Sequence, residues 1–142
     1  MSTARYLLQR TIDAQETGIN GSAINAGTLT SNWVSVENFS QATIDIELTR
    51  SAATTLTFKV EFADTNSSPG ASQIGAVPVA NDAGSGTINY YEETFTVPSV
   101  SASRKYKFNV PINYKFIRVK NLTGTSAGAS DTAIVTMLVT RN

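Results

Sequence analysis

A chain of 142 residues has the length of one domain, and a globule of that size buries roughly 70% of the surface its unfolded form exposes. Hydrophobic residues make up 41% and charged residues only 15%, the balance being largely Thr, Ser, Ala, Asn and Gly, which suits an all-β protein with a neutral polar surface. Eleven basic and eleven acidic side chains leave no electrostatic footprint for nucleic acid, and the lack of cysteine and histidine excludes disulfides, cysteine-based zinc sites and Ser-His-Asp or Cys-His catalysis.

Residues 1–30 carry few large apolar groups. Tyr6, Leu7 and Leu8 stand between Arg5 and Arg10, followed by Ile12, Ile19 and Ile24. Asn20-Gly21 is the strongest two-residue hairpin signal in the chain. Two readings stay open. One is an extended arm lying on a neighbouring subunit, with Tyr6, Leu7 and Leu8 at the contact; the other is an edge hairpin closing a sandwich built from residues 31–142. The first ten residues lack the apolar run of a signal peptide, and no run approaches membrane-spanning length. The expectation is a soluble chain made in a cytoplasm, whose sequons at Asn20, Asn38, Asn66 and Asn121 stay unglycosylated.

From Trp33 a period of two takes over. Residues 33–36 read as a short strand. In residues 42–49, Ile44, Ile46 and Leu48 point inward while Asp45, Glu47 and Thr49 point outward. After a connection at 50–54, Leu56, Phe58, Val60 and Phe62 alternate with Thr57, Lys59 and Glu61. These runs are expected to form an antiparallel hairpin with one wet face, bringing Asp45 and Glu47 near Lys59. No segment carries an apolar stripe at helical spacing, so no helix is expected.

Residues 64–89 are rich in Gly, Ser, Asn and Pro, the composition of a long interaction loop, and Pro78 allows at most an edge strand there. Tyr91, Glu93, Phe95 and Val97 then alternate with Glu92, Thr94 and Thr96. Tyr106, Phe108 and Val110 share one face of the next strand, opposite Lys105, Lys107 and Asn109. The closing segment is expected to be a hairpin: a strand at 114–121, a loop of Gly, Ser, Ala and Thr, and a strand at 131–140. Arg104, Lys105, Lys107, Lys115, Arg118 and Lys120 are expected to form one cationic surface that meets an acidic partner subunit. The last strand is apolar on both faces, so a subunit partner covering Ile134 and Leu138 is expected. Seven to nine strands in all predict an antiparallel β-sandwich, jelly-roll-like.

Nothing along the chain assembles a catalytic apparatus. Glycosidase chemistry needs two facing carboxylates, whereas Asp45 and Glu47 share a wet strand face and Glu92 and Glu93 are neighbours on opposite faces. Gly84, Gly86, Gly124 and Gly128 lack phosphate-loop spacing. Asp64 with Asn66, and Asn81 with Asp82, offer calcium ligands without the spaced acids that complete a site. The expectation is therefore no enzyme, no metal and no cofactor. Trp33, Tyr90 and Tyr91 form an alternative sugar-stacking platform, although core or interface packing is the commoner fate of such aromatics.

The closing segment, Tyr114-Lys-Phe-Ile-Arg-Val-Lys followed by the small-residue loop and Ala133-Ile-Val-Thr-Met-Leu-Val-Thr140, resembles the terminal strand pair of β-sandwich virion proteins of tailed bacteriophages. Capsid decoration (cement) proteins are examples. The resemblance covers the last thirty residues and brings no catalytic residues with it. It implies a virion location, a homo-oligomer with a trimer favoured, and the major capsid protein or other virion proteins as partners; composition and the lack of a spanning run add the expectation of no nucleic acid and no membrane. The absence of net charge, which does little to keep chains apart, fits life inside an assembly. The alternative is a carbohydrate- or receptor-binding module of a fibre or tail.

Overall fold

The computed structural model describes residues 8–63, 78–79, 89–90, 93–112 and 114–141. In chain order its elements are β1 (Leu8–Ile12), α1 (Ala14–Thr17), β2 (Asn20–Ala23), β3 (Val34–Ser35), β4 (Gln41–Thr49) and β5 (Leu56–Ala63). There follow β6 (Pro78–Val79), β7 (Asn89–Tyr90), β8 (Glu93–Val97), β9 (Arg104–Pro111), β10 (Phe116–Thr123) and β11 (Thr132–Arg141). Two antiparallel sheets pack together. The first runs β1-β11-β4-β9, with β2 also on β11; the second runs β3-β10-β5-β8. β6 and β7 form a separate two-residue ladder, β6 lying where at most an edge strand was expected and β7 at the end of the expected loop.

The order of pairing identifies the architecture. With β2 and the β6–β7 ladder set aside, eight strands remain. The first pairs with the last, the second with the seventh, the third with the sixth and the fourth with the fifth. The β11–β4 and β10–β5 ladders then join these four pairs into two sheets. This is a jelly roll, and the nine strands of its two sheets fall within the expected range.

Alternation along each strand builds the core. Ile44, Ile46 and Leu48 of β4, Phe58 and Val60 of β5, Ile117 and Val119 of β10, and Val135, Met137 and Val139 of β11 belong to one buried cluster. Each contributes roughly 1.5–3 kcal/mol by leaving water. Phe58 stacks on Phe95 at 5.2 Å between centroids and meets Phe108 edge-on at 4.8 Å, linking the two sheets through aromatic contacts.

Two expected hairpins are overturned. β4 lies in the first sheet and β5 in the second, and β10 and β11 are likewise divided between sheets. The connections at 50–55 and 124–131 arch across the sandwich instead of folding back within a sheet, and they are fastened to each other. Thr54 N–H donates to Thr125 O at 2.9 Å. Gly124 passes so close to Thr55 that a Cβ there would lie 2.6 Å from the carbonyl oxygen. Asp45 and Glu47 consequently face Lys107 and Lys105 across the β4–β9 ladder, not Lys59.

Residues 8–30 belong to the sandwich, with Ile12, Ile19 and Ile24 fully buried in its core. They do not form the expected hairpin. β1 runs antiparallel to residues 141–137 of β11, and β2 continues in the same direction along residues 134–132. Together they make one edge strand, interrupted by a helical turn. Asp13 caps that turn by accepting from Glu16 N–H at 2.9 Å, and Gly18 ends it at φ +79°. Across the interruption Thr17 Oγ1 donates to Val135 O at 2.7 Å and Val135 N–H donates to Ile19 O at 2.9 Å. Asn20-Gly21 is not a turn. Gly21, at φ +87°, lies where the register on β11 slips, and the pair forms a bulge. Tyr6 and Leu7 lie outside the described residues.

A second bulge shapes β10. Between Lys120 and Thr123 the register to β5 slips, with Asn121 at φ +52°, and Leu122 turns fully into the core. β11 is central in its sheet. Ala133, Val135, Met137 and Val139 line the core, while on the outer face Ile134 is half-buried and Leu138 is 38% exposed between Thr11 and Thr43. Leu8, 49% exposed, projects from the opposite face of β1 to Thr11, so the two exposed leucines do not share a patch.

Candidate functional site

The six basic residues expected on one surface fall on two. Arg104, Lys105 and Lys107 are on β9, at an edge of the first sheet. Lys115 immediately precedes β10 of the second sheet, while Arg118 and Lys120 lie within it. β9 and β10 belong to different sheets, so continuity in sequence did not carry over to the surface. Lys107 meets Asp45 at 3.0 Å and Lys105 meets Glu47 at 4.0 Å. These are solvated pairs of small energetic weight.

The second sheet is different. Its ladder sets Arg118 opposite Glu61 and Lys120 opposite Lys59 on the outer face. Glu61 is only 4% exposed, unusual for an acid on the outside of a sheet. Its burial is matched by charge. Arg118 Nε donates to Glu61 Oε2 at 2.5 Å, and Lys120 Nζ stands 3.6 Å from Oε1. The second contact is too long for a hydrogen bond yet within ion-pair range, which is how Oε1 can be buried without a hydrogen-bond partner. Trp33, in the segment leading into β3, completes the group: the Arg118 guanidinium carbon lies 4.2 Å from its ring centroid. Such a cation–π contact contributes about 0.5–2 kcal/mol depending on exposure. The Trp33 indole Nε1 is buried and has no hydrogen-bond partner.

The Arg118 guanidinium is thus held by Glu61 at Nε and by the indole on one face. Its two terminal nitrogens make no hydrogen bond to a described residue, and they are not among the buried unpartnered atoms. The side chain as a whole is 18% exposed. With both Glu61 oxygens occupied by cations, the cluster offers fixed cationic donors, not a proton-transfer pair.

Asp131 is the other deeply buried acid, and it does a different task. Its Oδ1 accepts from Ser51, Ala52 and Ala53 N–H at 2.7, 2.9 and 3.0 Å, and its Oδ2 accepts from Gly128 N–H at 2.8 Å. Burial pushes its carboxyl up, but the backbone N–H groups of Ala53, Gly128, Ser51 and Ala52 together outweigh that and hold it well below the usual carboxylate range. Asp131 fastens the two crossover connections at one end of the sandwich.

Of the aromatic platform, Trp33 is placed against Arg118, Tyr90 belongs to β7, and Tyr91 lies outside the described residues. Asp64, Asn66, Asn81 and Asp82 lie outside them as well. Sequence reasoning missed Glu61 and Asp131. Glu61 was one more polar residue on an alternating strand, and only the β5–β10 pairing reveals its partners. Asp131 looked like the start of a strand. Comparison with protein-family models, curated proteins and solved structures found no match for this chain.

Proposed function

We propose that this chain is a structural virion protein, a capsid decoration (cement) protein of a tailed bacteriophage that oligomerises, a trimer being favoured, and stabilises the particle by binding the major capsid protein. The jelly roll alone does not choose this reading, because the architecture serves capsid and lectin domains alike. The observation that favours it over glycan binding is the state of Trp33. A sugar-stacking platform needs an open indole face, and Arg118 already covers one of the two. The resemblance of the closing segment to phage virion proteins supports the same reading. So does the tying of Asp45, Glu47, Glu61 and Asp131 into ion pairs or backbone hydrogen bonds.

The test is the mass of the purified chain by light scattering, followed by co-sedimentation with phage heads. An oligomer that pellets with heads is expected. A monomer that stays in the supernatant contradicts the proposal. Deleting residues 1–7 then tests the arm reading without removing Ile12, Ile19 and Ile24 from the core; unchanged assembly rules the arm out.

A further inference from the structure

We infer that Asn20 is a site of spontaneous covalent modification, where the side-chain amide cyclises onto the Gly21 backbone nitrogen and is converted to a carboxylate. The inference does not depend on the function proposed above. Its first support is local chemistry. Asn20 is the one asparagine of the chain that glycine follows, and glycine brings no Cβ to shield its own nitrogen. The second is access. Asn20 and Gly21 are both exposed, and the Asn20 amide hydrogen-bonds no described residue. A Cβ on Gly21 would meet nothing within 4 Å, so a ring has room to form.

The third support is the bulge. A strand held firmly in its ladder keeps a side chain from folding back onto the next nitrogen. Ala23 and Ser22 pair in step with Thr132 and Ala133, but the register then slips to Asn20 opposite Ile134. Gly21 is left without a partner residue, and the ladder is locally disrupted. Among the described residues β2 pairs with β11 alone, so its opening breaks no second ladder. Short edge segments of this kind open at low free-energy cost. Asn109 shows the opposite condition. It is exposed on β9, but Val110 follows it and its Oδ1 accepts from Thr43 Oγ1 at 2.8 Å.

The chemistry needs only water. The Gly21 nitrogen gives its proton to solvent and attacks Cγ of Asn20. The new N–Cγ bond closes a succinimide, the Cγ–Nδ2 bond breaks, and Nδ2 takes a proton from solvent and leaves as ammonia. One water then adds to either ring carbonyl. Opening at Cγ gives an aspartyl residue; opening at the backbone carbonyl gives an isoaspartyl residue, whose chain runs through the former side chain. Ile19 and Ile24 anchor the segment in the core on either side. The change is therefore confined to the bulge, as a new negative charge and, in the isoaspartyl form, an extra backbone carbon.

The experiment incubates the full folded chain at neutral to mildly alkaline pH and maps acid formation by tandem mass spectrometry. Mild hydroxylamine, which cleaves the chain at a succinimide, is the second readout. Acid at position 20 should appear ahead of Asn25, Asn32, Asn38, Asn109 and Asn121, and faster as pH rises, because the attacking nitrogen must lose its proton. Hydroxylamine should split the chain between Asn20 and Gly21. Asn20→Gln, whose longer side chain closes the ring far less readily, should lose both signals, with urea unfolding showing that it is folded. A urea-unfolded wild type gives the reference rate. An Asn20 that stays intact in the folded chain while the unfolded chain converts would overturn the inference. So would earlier conversion at any of the other named asparagines, a rate independent of pH, or undiminished cleavage in folded Asn20→Gln.

Discussion

Asp131 and Glu61 are both carboxylates that the fold has removed almost wholly from water, at 0% and 4% exposure. They are held in contrasting ways. Asp131 sits among backbone N–H groups of two connections, whose donors are fixed by the course of the chain. Glu61 is held by the side chains of Arg118 and Lys120, which keep 18% and 26% exposure. A buried acid satisfied by backbone fixes the fold. One satisfied by cationic side chains ties its strand to the neighbouring one through groups that can still move.

The largest effect should come from the sealed acid. Asp131→Ala leaves several buried N–H groups without an acceptor and should lower stability by about 3–5 kcal/mol, measured by urea unfolding. The same contrast predicts a pH dependence. The folded-state pKa of Asp131 lies below its unfolded value near 3.9, so its contribution is fully present above about pH 4 and is lost as pH falls from there through the folded value. Asp131→Asn should flatten the stability profile below about pH 4. A profile as steep as that of the wild type would show that other groups dominate acid unfolding.

Glu61→Gln should be milder, about 1–2 kcal/mol, because Arg118 keeps its contact with Trp33 and can turn toward water. A loss as large as that of Asp131→Ala would break the distinction between sealed and open acids. The solvated pairs set the floor. Lys107 is 67% exposed, and Lys107→Ala should change stability by less than about 0.5 kcal/mol.

The strands were largely readable from the sequence, but their partners were not. Alternation of Ile44, Ile46 and Leu48 with Asp45 and Glu47 marks a half-buried strand wherever it occurs, because side-chain direction is a local property. Pairing is not local. Sequence proximity suggested β4 with β5 and β10 with β11, whereas in a jelly roll β4 pairs with β9 and β11, and β10 with β3 and β5. That error carried directly into the site: it merged Lys105 with Arg118 into one basic surface and placed Asp45 beside Lys59. The helical turn at Ala14–Thr17 was too short for any periodicity, although Asp13 and Glu16 carry the spacing of a capping box. Asn20-Gly21 did signal a positive φ, but the fold uses it in a bulge instead of a turn.

The proposed virion role requires a partner to cover part of the sandwich surface. A chain without cysteine makes this measurable with single reporters. Thr94→Cys, exposed and opposite Lys59, marks the second sheet; Thr11→Cys, exposed and opposite Leu138, marks the first. Maleimide labelling of each is compared between the free protein in its own oligomeric state and the protein mixed with phage heads. The virion reading predicts that labelling of at least one position slows on the heads. Labelling of both at the rate of the free protein would contradict it.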